Sequence, residues 1–151
     1  MSWKWYGVKT VYRSEAIGTA KWVDADYSDG ATLVEERIVL LRARSSDEAI
    51  AKAENEAKEY AKGTYKNVYG QTVKARYLKA CDAFELYDDP AVFTEAFSTN
   101  IMSKEISDKQ VVDQYLGPDE SETTKRQRRK FFNAEFWKES MAKKRQKTTK
   151  P

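Results

Sequence analysis

The 151 residues predict an α+β fold, a mostly antiparallel sheet of about four or five strands with one main helix. Three observations carry that expectation. Residues 3–13 alternate in character, residues 38–62 join a short apolar strand directly to a capped helix, and residues 65–78 fold about a glycine-containing turn.

Trp3 to Arg13 puts Tyr6, Val8, Thr10 and Tyr12 on one side and Trp5, Gly7, Lys9 and Val11 on the other. That is the period of a strand with an aromatic-rich face. Residues 14–32, rich in Gly, Ala, Ser and Asp with the turn signal Ser28-Asp29-Gly30, read as a long connection. Lys21-Trp22-Val23 is placed to extend the hairpin there. Ile38-Val39-Leu40-Leu41 is a continuous apolar run too brief for a buried helix, so a strand covered on both faces is expected.

Ser45-Ser46-Asp47-Glu48 has the S-x-x-E spacing of a capping box and opens the main helix, over 45–62. Ala49, Ala53, Ala57 and Ala61, joined by Ile50 and Tyr60, form a small-residue stripe that lets the helix lie close to a sheet. Gly63 is expected to end it in a left-handed conformation. Tyr65–Val68 and Thr72–Leu78 then flank Tyr69-Gly70-Gln71 as a hairpin. Its second arm runs on to Leu86 with a bend near Lys79, and Asp88-Asp89-Pro90 breaks it. Val92, Phe93, Ala96, Phe97 and Ile101 suggest a further strand. Ser107-Asp108-Lys109-Gln110 repeats the capping spacing and begins a short second helix over 107–116, stopped by Gly117-Pro118 and expected to pack on the edge of the core.

These elements resemble a family of small bacterial proteins known only as a domain of unknown function. The likeness lies in a W-Y-x-V strand (Trp5 to Val8), an acidic residue before an I-V-L-L-x-A strand (Glu36, then Ile38 to Ala43) and a helix with Glu48-Ala49 and Ala53-Glu54. A Y-x-N-x-x-G-x-x-V hairpin (Tyr65, Asn67, Gly70, Val73) and Asp82 before Phe84-Glu85-Leu86 complete it, over roughly residues 5–105. The resemblance implies a compact α+β body and assigns no activity.

Charge divides the chain. Of 27 basic and 24 acidic side chains, 11 and 2 fall in residues 125–151, a net of +9; the other 16 and 22 leave the first 124 residues at −6. The division expected is therefore a compact domain over 1–117 and a basic, aromatic tail over 118–151. DESETTKRQRRK reads as linker, and helix is expected from about Asn133, ordered by docking. Phe132 and Phe136 share one row of that helix, with Asn133, Trp137 and Met141 on the next.

The absence of histidine removes the commonest general base and most zinc and non-haem iron ligand sets. One cysteine, Cys81, forms no internal disulfide and no CxxC pair, and it reads as a small buried hydrophobe more readily than as a nucleophile. No phosphate-cradling glycine motif is present. The acidic pairs Asp24/Asp26, Glu35/Glu36 and Asp88/Asp89 can serve acid–base chemistry or Mg2+, but solvated acids at loops are ordinary. No cofactor, metal or membrane span is expected, and the location expected is cytoplasmic.

Trp3, Trp5, Tyr6, Tyr12, Tyr65, Tyr69 and Tyr77 are either the core of a small domain or a surface for a partner, with Trp3 the one expected outside. The tail sets Lys125, Arg126, Arg128, Arg129 and Lys130 before Phe132, Phe136 and Trp137, then Lys143, Lys144 and Arg145. Cations can neutralise phosphates and aromatics can stack on bases, while the same residues can fold back on the acidic body. The function expected is a non-enzymatic binding module that docks on a protein or nucleoprotein through its sheet aromatics and basic tail. RNA or DNA binding through the tail is the alternative, and an enzyme relying on carboxylates is the third reading.

Overall fold

A computed structural model describes residues 2–117 and 119–132. Its sheet has four antiparallel strands: β1 (Lys4–Ile17), β2 (Thr32–Ala43), β3 (Thr64–Lys66) and β4 (Thr72–Glu85), in the order β2-β1-β4-β3. Helix α1 (Ser46–Tyr60) crosses one face; α2 (Asp108–Leu116) and α3 (Glu122–Phe132) follow the sheet.

β1 is central, and the alternation in its sequence decides what it buries. Tyr6, Val8, Thr10 and Tyr12 point toward α1 and are all buried. Thr10 resolves its polarity on that face through a 2.7 Å hydrogen bond with the Tyr12 hydroxyl. Val8 and Val73 are fully buried, each contributing about 1.5–3 kcal/mol of hydrophobic stabilisation. Ala49, Ala53 and Ala57 are wholly buried beneath α1 and bring the helix onto the sheet, as their spacing predicts.

Ser45 caps α1 by accepting from the Glu48 N–H at 3.2 Å, while the Glu48 carboxylate takes the Arg44 N–H, one residue before the cap. At the other end Ala61, in right-handed conformation, is the cap. Gly63 is not left-handed, so the expected glycine stop is corrected: the chain passes straight into β3.

The β3–β4 hairpin turns where expected. Asn67 Oδ1 accepts from the Tyr69 and Gln71 N–H groups, and Gly70 at φ 77° supplies the left-handed residue. The bend near Lys79 is a pair of register shifts in the β1–β4 ladder, between Val8/Thr10 and Val11/Tyr12.

Three further expectations fail. Ile38–Leu41 is not covered on both faces: β2 is an edge strand, Val39 and Leu41 pack inward, and Ile38 and Leu40 are 46% and 43% exposed. An alternating burial pattern, masked in the sequence by consecutive apolar residues, settles the strand's position. Residues 92–101 form no strand. Phe93 has φ 64° and lies in solvent, while the backbone near Ala96 passes over β1 at Gly7. Finally, α2 keeps its complete capping box but buries no residue, so it does not pack into the core.

Candidate functional site

The stretch expected to be linker, Glu122 to Lys130, is the body of α3. Ser121 opens it, accepting from the Thr124 N–H at 3.1 Å through its hydroxyl and from the Lys125 N–H at 3.0 Å through its carbonyl. Arg126 and Lys130, four residues apart, share one face of the helix, and that face meets the loop joining β1 to β2. Lys130 Nζ donates to Asp24 Oδ2 and Asp26 Oδ2, both at 2.7 Å, and Arg126 donates to both Asp26 oxygens at 3.3 and 3.4 Å. The Tyr69 hydroxyl donates to Asp24 Oδ1 at 2.8 Å.

The loop is itself fixed to the hairpin. Lys21 N–H donates to the Tyr69 carbonyl, Trp22 Nε1 donates to the Val68 carbonyl, and the rings of Trp22 and Tyr27 pack on Tyr69. At the end of α3 the Val68 N–H donates to the Lys130 carbonyl at 3.3 Å, and the Phe132 ring lies 5.7 Å from that of Tyr65. The paired side chains of Lys130 and Asp26 are only 12% and 11% exposed, so this is a partly desolvated junction rather than a solvated surface pair.

Charge states follow from the contacts. Burial pushes the Asp24 carboxyl up, but hydrogen bonds from Lys130, Tyr69 and the Asp26 N–H outweigh it and hold it below the ordinary carboxylate range. Hydrogen bonds from Lys130 and Arg126 hold Asp26 below that range too. Burial lowers Lys130, and the two aspartates more than reverse this. Burial, with the hydrogen bond to Asp24, pushes the Tyr69 phenol well up.

Of the remaining cations read from the tail, Lys125 pairs with Glu122 and Arg128 with Glu120, both next to or within the helix. Arg129 is partly buried, and Phe132 is 42% exposed against Tyr65 rather than sunk into the core. Phe136, Trp137, Lys143, Lys144 and Arg145 lie outside the described residues, as does helix from about Asn133. Between α3 and the loop a cleft of about 560 Å³ opens, with Tyr27 and Tyr69 on one wall and Gln127 and Phe131 on the other. Of the charges that line it, Asp26 is answered by Lys130, Arg128 by Glu120 and Glu15 by Arg76, while Asp29 accepts from the Tyr27 hydroxyl.

The sheet aromatics separate. Tyr6, Tyr12 and Tyr69 are buried, and Tyr65 and Tyr77, both partly covered, are pushed up to about 12 chiefly by burial. Trp3 is 50% exposed, with Lys52 Nζ 4.5 Å and the Arg44 guanidinium 5.3 Å from its ring. Trp5 lies on the face away from α1, near Arg42.

That face is the surface the sequence did not disclose. Val34, Ile38 and Leu40 stand out from β2 along it, with Val34 59% exposed, and among the described residues no strand lies beyond β2. The crossing segment covers part of the same face: Phe97 packs on Phe84 and beneath Lys9, and leaves the β2 side open. The alternation of Val34, Glu36, Ile38, Leu40 and Arg42 carries that signal in the sequence, and the continuous apolar run 38–41 obscures it.

Among the described residues no helix is long and apolar enough to cross a membrane. Residues 5–103 match the family model described as a domain of unknown function (DUF4288), in agreement with the resemblance read from the residues. No curated protein and no solved structure matches the chain.

Proposed function

We propose that this chain, which belongs to the domain of unknown function family DUF4288, is a non-enzymatic protein-docking module. The observation that carries the reading is the uncovered apolar face of an edge strand: Val34, Ile38 and Leu40 in one row. Such a row, on a strand with no neighbour on its outer edge among the described residues, suits a partner that adds to the sheet or lies across it. The carboxylates best placed for catalysis argue the same way. Asp24 and Asp26 are ionised and occupied by Lys130, Arg126 and Tyr69, which leaves neither free as a general base. A cytoplasmic location accords with the single cysteine.

In this reading the described part of the tail is a strut that holds the β1–β2 loop, because Lys125, Arg126, Arg128 and Lys130 are matched by acids of the same chain. Nucleic-acid binding would then rest on Lys143, Lys144 and Arg145. Affinity capture with the full chain, under nuclease treatment, separates the two. Leu40→Lys is expected to weaken capture of the protein partner about 30-fold or more, the scale of an interface hot spot. Neutralising Lys143, Lys144 and Arg145 to Gln is expected to leave it unchanged. Capture that survives Leu40→Lys but disappears with nuclease or with the neutralised tail would establish the RNA or DNA reading instead.

A further inference from the structure

We infer that the outer edge of β2 pairs antiparallel with β2 of a second copy of this chain, about a two-fold axis at Val39. The inference rests on the docking reading and names the occupant of that surface. β2 is 12 residues long, about twice the length of a typical strand, and sits at the sheet's edge. Edge strands are ordinarily kept apart by charge. Here the charge is sorted along the strand: Glu35 and Glu36 in the first half, Arg42 near its end. A parallel copy in register would set like charges side by side. An antiparallel copy sets them in opposition.

With Val39 opposite itself, Glu36 faces Arg42 and Ile38 faces Leu40, and the two-fold repeats each pair. All four side chains lie on the open face away from α1, so ion pairs flank a continuous apolar patch. Shifting the register by two residues in either direction loses this match: Leu40 faces Glu36 in one case, and Arg42 faces Ile38 in the other. Neither charge is committed elsewhere on the scale of a tight pair. Glu36 is 65% exposed at 3.6 Å from Lys9, and Arg42 lies 5.9 Å from the Trp5 ring. Arg37, the remaining charge of the central run, is held inward by a bidentate bond to Glu56 and does not contend for the edge. The product is an eight-stranded sheet with both α1 helices on the same side.

Sedimentation equilibrium on the full chain tests this through charge reversal at two exposed positions. The unaltered chain is expected at twice 17.4 kDa, with Glu36→Arg and Arg42→Glu each weakening self-association roughly tenfold. The doubly reversed Glu36→Arg/Arg42→Glu chain is expected to recover it, an outcome that general destabilisation would not give. A dimer equally strong in all four chains, or one that the double reversal leaves weak, overturns the register. A mass of 17.4 kDa at about 0.1 mM overturns the pairing altogether. If Leu40→Lys nevertheless loses its partner, the docking reading survives that result; if it captures the partner as before, both fall.

Discussion

Gly7 shows how one missing side chain shapes a surface. A Cβ built there would stand 1.7 Å from the Ala96 carbonyl oxygen, so the residues after β4 can cross β1 only because position 7 is bare. Gly7→Ala is therefore expected to cost about 1–3 kcal/mol, lowering the melting temperature by several degrees, as for other overpacked sites. An unchanged melt would mean that the crossing segment contributes nothing to the fold. In the sequence Gly7 is legible as a strand residue of the outward face, but its role is not, because the backbone it admits comes from about ninety residues away. Asp24 and Asp26 were hidden in the same way. As a loop pair they look solvated, and only the fold brings Lys130 to them.

The elements divide by what holds them. α1 is held by burial and α2 by its own cap, so the same substitution should act differently in each. Ser45→Ala is expected to lower global stability by about 1 kcal/mol, because the helix it caps covers the core. Ser107→Ala should remove comparable local helix stability yet leave the global melt in place, since α2 buries nothing. Equal shifts in the two melts would show α2 to be coupled to the core. β1, α1 and the β3–β4 hairpin are readable from residue order because a period or a turn signal marks each. α3 is not. Its first nine residues, Glu122 to Lys130, contain no apolar side chain, and it is seated by ion pairs, which leave no hydrophobic period to find. The apolar spacing over 92–101 misled in the opposite direction: Phe93 and Val92 are exposed, so their pattern describes a surface and not a strand.

At the scale of the molecule, α3 and the β1–β2 loop are joined by charges whose shifts fix the conditions under which they stay joined. Asp24 and Asp26 are depressed in the folded chain, so their contribution is present above the ordinary aspartate value near 3.9 and is lost as pH falls through the depressed values. Lys130 is raised, so its contribution is present below about 10.4 and is lost only as pH rises past that, through its raised value. The junction is expected to be indifferent to pH between about 5 and 8. The Val68 amide, which donates to the Lys130 carbonyl, reports it: its NMR resonance should move only below pH 4 on acidification. A midpoint between 5 and 8 would show that these aspartates do not hold the helix. The strand order has a consequence for synthesis. β1 emerges from the ribosome ahead of both neighbours, and the one that closes its second edge, β4, is complete only at Glu85. At ordinary translation rates that edge waits roughly 2–8 s after β2 is finished. Through that interval the nascent chain must be shielded from other polypeptides, and slowing elongation between codons 44 and 85 should cost yield without altering a single native contact.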